Sequence, residues 1–205
     1  WALEWIESKE VFGHNLLPME KNDVTALKQL CAATEYPSMQ LHAINVTHTD
    51  VRALPTPAPI FNDPSQTGEG FPFDYLQHGV LPAGTPLLVT HASHKGNWLF
   101  IETPLLYGWV PATAVAWADK DFKDKYTSGE YVTILEDEHT MRSTAGGPLP
   151  PTRAGTIVPL LEDADTGYVV GIPHINAQGN AFLGRAIVPS AIDNPFPLPL
   201  SPAPL

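Results

Sequence analysis

Thiols, imidazoles and carboxylates are the groups in this 205-residue chain able to do chemistry. A cysteine beside a histidine acts as a thiolate nucleophile with its general base. Cys31 is the sole cysteine, and His42, His48, His91 and His94 lie further along. Imidazoles also hold metals, but a site needs two to four ligands converging on one point, oriented by groups behind them. His91 and His94 stand three apart across a strand–turn boundary, a spacing that does not aim both rings at one point. The four histidines therefore read as surface residues, and no metal is expected. Cys31 shares a helical face with Val24, Leu27 and Leu30, which makes it a small core residue; the alternative is a nucleophile.

The carboxylates offer little more. Glu136 and Glu138 have no context that selects catalysis over solvation, and Glu162-Asp163-Ala164-Asp165 is too short for the spaced oxygen ligands of a calcium loop. No glycine-rich phosphate loop, nucleophile elbow or zinc motif occurs. No catalytic residue and no cofactor are assigned. Asn45-Val46-Thr47 fits a glycosylation sequon, a triplet that also arises by chance. More promising is Phe73-Asp74-Tyr75 with Gln77, a carboxylate between two aromatics. Such a group can stack on a peptide and pair with a free ammonium, a bond of about 1.5–3 kcal/mol when partly desolvated. In the other reading Phe73 and Tyr75 pack beneath their own barrel while Asp74 caps a turn.

The element that must position these groups is Gly84 to Trp109. Leu87, Val89 and His91 alternate with Leu88, Thr90 and Ala92, the period of a half-buried strand. Lys95-Gly96-Asn97 supplies a turn, Trp98 to Ile101 a second strand, Tyr107-Gly108 the next break, and Trp109-Val110 a third strand. Short aromatic hairpins bounded by Gly and Pro favour a small all-β barrel. Trp98 and Trp109, at strand starts after Gly turns, are expected to be its structural pillars. Upstream, Ala43, Asn45 and Thr47 alternate with Ile44 and Val46, a strand leading into Asp50-Val51-Arg52. The Pro- and Gly-rich segment from Leu54 to Leu81 is too long for a hairpin loop, and its Phe71, Phe73, Tyr75 and Leu76 either fold under the barrel or face a partner.

Residues 1–35 read as the helical part, with Asn22 or Asp23 placed to cap the segment carrying Cys31. Trp1, Trp5, Val11 and Phe12 supply apolar anchors without a complete helix, as in a clip lying across a barrel. Beyond 118, strands are expected at Tyr131 to Leu135, Thr156 to Leu161, Tyr168 to Pro173 and Ala181 to Val188. Glu136-Asp137-Glu138 and Asp165-Thr166-Gly167 read as turns, and Arg142 to Ala154 as a loop. Pro195 to Leu205, PFPLPLSPAPL, can form neither helix nor sheet interior and reads as an extended strap.

Composition agrees with a folded β protein. Charged residues are 16% and apolar residues 43%, while 22 prolines suit short strands better than long helices. A net charge of −11 argues against nucleic acid and anionic membranes, whose binding needs clustered Lys and Arg. No apolar run approaches the ~20 residues of a membrane span.

Three stretches together carry a resemblance: Thr49-Asp50-Val51-Arg52, Phe71-Pro72-Phe73-Asp74-Tyr75-Leu76-Gln77 and Gly108-Trp109-Val110. The chain resembles the non-catalytic N-terminal region of NlpC-type cell-wall cysteine peptidases, a clip and two bacterial SH3-like domains (SH3b). The resemblance implies a mainly β chain of two tandem SH3-like barrels behind a short helical clip: clip 1–35, first barrel 36–118, divergent second barrel 119–190, and strap 191–205 leading to a catalytic domain beyond Leu205. It implies a structural part for Arg52 in the opening strand. It places the nucleophile in an Asp-Cys-Ser context that Leu30-Cys31-Ala32 does not match, so Cys31 is not the catalyst. The parent's reaction is thiolate attack on the bond between γ-D-glutamate and the diamino acid of a peptidoglycan stem peptide. These 205 residues would bind or orient that peptide in the periplasm, the cell envelope or outside the cell, with Phe73, Asp74, Tyr75 and Gln77 at the substrate and the free L-Ala amine as partner of Asp74. The alternative is a free-standing SH3-like module for cell-wall peptide or a protein partner.

Overall fold

The computed structural model describes residues 2–135, 141–144, 149, 153–164 and 167–189. The expected acidic turn at 136–138, most of the turn at 165–167 and the strap at 195–205 lie outside these. The chain is mainly β, with antiparallel sheets and few helices, and forms two compact units that interleave along the sequence. One unit comprises Trp1–Leu41, Asp50–Val80 and Leu88–Thr113, the other His42–Thr49, Leu81–Leu87 and Ala114–Leu205. The expected borders lie at 35/36, 118/119 and 190/191; the first unit falls wholly before 118, and the second takes pieces from both sides of it. No helix among the described residues is long and apolar enough to cross a membrane.

The first unit opens with α1 (Ala2–Ser8) and α2 (Lys21–Cys31). Two expectations are corrected here. The segment holding Trp5 does form a helix, short but complete, with Ile6 buried. Helix α2 begins before Asn22 and Asp23, so both lie in its first turn; Glu20 occupies the N-cap position without a side-chain bond. Ala32 ends α2 in the left-handed region (φ 45°, ψ 39°). Between the helices, Phe12 and Phe61 exchange backbone hydrogen bonds at 2.9 and 2.8 Å, which ties the clip to the long loop.

The strands of this unit are β2 (Thr49–Arg52), β3 (Gln77–Leu81), β4 (Pro86–Ala92), β5 (Trp98–Glu102) and β6 (Tyr107–Pro111), numbered after β1 (Leu41–Asn45), in the order β3-β2-β6-β5-β4. Two hairpins set the register, pairing Val89 with Ile101 and Phe100 with Trp109. Gly96 turns the first at φ 70°, a conformation that costs glycine nothing. Gly108 lets β6 close on β2, because a Cβ there would sit 2.8 Å from the Arg52 carbonyl oxygen. Val11, Leu54, Ile60, Leu76 and Trp109 pack into the core with Ile6 and Cys31.

In the second unit β1 pairs with β7 (Val115–Trp117), followed by α3 (Lys120–Tyr126). The expectation that helix is confined to 1–35 is corrected by α3: Asp119 accepts from the Phe122 amide at 2.7 Å, and Phe122 and Tyr126 fill the core with Ile44 and Ala116. A five-stranded antiparallel sheet then runs β8-β10-β11-β12-β9, from β8 (Tyr131–Thr133), β9 (Arg142–Ser143), β10 (Ile157–Ala164), β11 (Gly167–Ile175) and β12 (Ala181–Pro189). The loop expected from Arg142 thus begins with a short strand paired to Ala186 and Ile187. Asn45 is wholly buried and donates to the Thr47, Leu81 and Pro82 carbonyls, so the sequon is closed in the folded protein.

Candidate functional site

The site is a cleft of about 710 Å³ within the first unit. One side comes from the clip and the residue just beyond it, through Ala2, Leu3, Cys31, Ala33 and Tyr36; the other comes from the chain after β2 and from β3, β5 and β6, through Ala53, Leu54, His78, Phe100, Glu102, Tyr107 and Trp109. Their strand register brings the rings together. Phe100 lies opposite Trp109, and Glu102 opposite Tyr107, so alternate residues of β5 and β6 project toward one face. Phe100 meets Trp109 edge to face at 5.3 Å and Tyr36 at 5.9 Å, while His78 meets Tyr107 at 5.5 Å. Tyr36 and Tyr107 remain 50% and 60% exposed, so solvent reaches their rings. The Tyr36 hydroxyl donates to a Glu102 carboxylate oxygen at 3.1 Å. An apolar trough with a few convergent polar groups is the usual make-up of a ligand site. A carboxylate in a cleft lined with aromatic rings favours a cation among possible ligands.

Cys31 lines the base of this cleft but offers no nucleophile. It is 3% exposed, its thiol donates to the Leu27 carbonyl at 3.3 Å, and burial pushes its pKa up to about 11. A thiol so desolvated is inert near neutral pH.

The histidines separate. His42, His48 and His94 are exposed, but the surface reading of His91 is corrected: it is 2% exposed. A β-bulge between Val89 and His91 breaks the alternation, so Thr90 and His91, neighbours in sequence, are both buried. Its Nε2 lies 3.0 Å from the Cys31 carbonyl oxygen and 3.2 Å from that of Ala32, and its Nδ1 2.8 Å from Ser38 Oγ.

The loop residues of the sequence reading are gathered elsewhere, around Arg52. This guanidinium, 5% exposed, donates to Asp74 Oδ2 at 2.5 Å, to Gln77 Oε1 at 2.9 Å, and to the Ala58 and Thr56 carbonyls at 3.1 and 3.2 Å. The other Asp74 oxygen accepts from the Ile60 and Leu76 amides. Gln77 donates onward to Asp50 and the Gly79 carbonyl. Asp74 and Gln77 are therefore engaged in hydrogen bonds within the protein. Tyr75 stacks on Trp5 at 5.3 Å and donates to Glu69, whereas Phe73 is 54% exposed. The four do not converge on one point. Trp109 is 5% exposed and Trp98 half-buried, and both pack on the same core.

Sequence reasoning passed over Tyr36, His78, Glu102 and Tyr107. Only Tyr107, beside the Gly-Trp-Val break, carried a local signal; the others come together through the fold.

Residues 59–111 match the family model for an SH3 domain of the SH3b1 type. That span holds β3 to β6 and the barrel side of the cleft apart from Ala53 and Leu54. A solved structure of an NlpC/P60 endopeptidase from Photobacterium damselae subsp. piscicida is similar over 89% of this chain, with a TM-score of 0.79 and 26% identity. The chain spans 40% of that protein's length. No curated protein matches the chain.

Proposed function

We propose that this chain is the non-catalytic, substrate-holding region of a bacterial cell-wall peptidase of the NlpC type, and that its first unit binds the peptidoglycan stem peptide in the aromatic cleft. The observation that carries the reading is the cleft itself, with Tyr36, Phe100 and Tyr107 around the Glu102 carboxylate on an SH3b-type barrel. The ring faces suit the flat backbone and methyl groups of a short peptide. Glu102 suits a free terminal ammonium, so the amine contact falls to Glu102 rather than Asp74, whose oxygens Arg52 and two amides occupy. Phe73, Tyr75 and Gln77, with Asp74, then support the loop beside the barrel. In this reading the second unit is the divergent second barrel, the hydrolytic Cys and His belong to a catalytic domain joined to this region, and the whole works in the cell envelope. The similarity to the NlpC/P60 endopeptidase supports it.

Calorimetric titration of the chain with the tripeptide L-alanyl-γ-D-glutamyl-diaminopimelate tests it. Binding without cleavage is expected, weakened about tenfold by Glu102→Gln, the scale of a charge-assisted hydrogen bond. N-acetylation of the peptide should cost as much. Absence of binding, or equal affinity of the variant and wild type, would overturn the reading.

A further inference from the structure

The rings of Tyr36 and Phe100 are positioned differently. Phe100 stands on a paired strand, but Tyr36 lies beyond the end of α2 and a single 3-10 turn (Ala33–Glu35), on irregular chain. Irregular, half-exposed backbone holds a side chain poorly unless something fixes it on both sides. The fixing group is one imidazole. The His91 ring reaches Cys31 and Ala32, five and four residues before Tyr36, and Ser38, two residues after it. Carbonyl oxygens only accept, so Nε2 carries a hydrogen, and in the neutral ring Nδ1 is then the acceptor of the Ser38 hydroxyl. The same strand and the turn after it add backbone ties, with the Thr90 carbonyl accepting from the Ser38 and Met39 amides at 3.1 and 3.2 Å and the His94 amide donating to the Leu30 carbonyl at 2.9 Å. The His91 ring then meets the Tyr36 ring edge to face at 5.7 Å and Trp109 at 5.9 Å.

We propose that His91 is the positioning residue of the cleft: it bonds the chain on both sides of Tyr36 and so holds the Tyr36 ring and its Glu102 bond at the ligand's wall. The bulge at Val89/His91 is what aims this side chain inward. The Cys31 carbonyl at the end of α2 becomes its acceptor, which a plain apolar residue would leave without that bond, while the Ala32 carbonyl also accepts from the Glu35 amide at 2.9 Å. The claim about ligand affinity rests on the reading of the cleft as a peptide site; the claim about Tyr36 does not.

The test places 3-fluorotyrosine at position 36 and follows its fluorine resonance, with tripeptide titration alongside, in wild type, His91→Phe, His91→Gln and Ser38→Ala. Wild type should give one narrow resonance displaced from its unfolded position. His91→Phe keeps the bulk and loses the bonds. It should move the resonance toward the unfolded position and weaken tripeptide binding about tenfold, the scale of lost buried hydrogen bonds. His91→Gln restores a donor toward the two carbonyls and should return affinity to within about threefold and narrow the resonance again. Should His91→Phe fail to fold, Ser38→Ala, which removes one strut, decides: a displaced resonance is expected. A folded His91→Phe or Ser38→Ala with the wild-type resonance would overturn the proposal. If wild type binds no tripeptide, the peptide reading fails while the resonance still judges the role of His91.

Discussion

At the residue scale, Arg52 shows how one charge organises a loop too long to organise itself. Its side chain is 6% exposed and that of Asp74 17%, so the pair is largely out of water. One oxygen of Asp74 and one of Gln77, with two carbonyls, give every guanidinium nitrogen a partner. Such a pair adds little over a well-packed apolar substitute, but removing one member strands the other. Arg52→Met should therefore cost about 3–5 kcal/mol, because the Asp74 carboxylate loses its cation while still buried. Asp74→Asn should cost less, since the amide oxygen can still accept from Ile60 and Leu76. Urea denaturation of both variants and of the double variant measures this; a coupling near zero would remove Arg52 from the structural role assigned to it. The motif around Arg52 was legible in the sequence as part of a strand. Its partners were not, because Asp74 and Gln77 lie 22 and 25 residues away and their chemistry looked equally suited to a ligand.

At the scale of elements, the hairpins of β4, β5 and β6 follow the strand pattern and turn residues, since both are local properties, apart from the bulge in β4. Short helices have no such margin. Helices α1 and α3 are seven residues each, two turns with too few apolar positions to show a period. His91 was misplaced for another reason: its spacing to His94 was read as that of two surface rings, although alternation groups it with Leu87 and Val89, both buried. Within the hairpin, Trp109 sits in the core and Trp98 at its margin. Trp109→Ala should cost about 3–5 kcal/mol, in the range for emptying a large aromatic site, and should abolish much of the near-ultraviolet circular dichroism. Trp98→Ala should cost clearly less. Cooperative unfolding of Trp109→Ala at the wild-type midpoint would remove that ring from its part as a pillar.

At the scale of the molecule, the sequence has one order and the first unit another. Residues 2, 36, 54, 78 and 107 line one cleft, yet no window of the chain contains more than a part of it. The fold class was open to pattern and turn chemistry, whereas the cleft depends on contacts distant in sequence. The clip shows this most plainly. Trp5 and Val11 look like anchors and pack on the core, but Leu3 and Ala33, with Tyr36 just beyond the clip, also make one wall of the cleft. A barrel without its clip would keep Tyr107 and lose half of the site.

The central claim is that this cleft receives the stem peptide. Amide and aromatic chemical-shift mapping of the isotopically labelled chain during titration with L-alanyl-γ-D-glutamyl-diaminopimelate tests it most directly. The account predicts shifts concentrated at Tyr36, His78, Phe100, Glu102 and Tyr107, with Asp74, Gln77 and the five-stranded sheet unmoved. Shifts centred on Phe73 and Asp74, or on the sheet of the second unit, with the cleft silent, would contradict it.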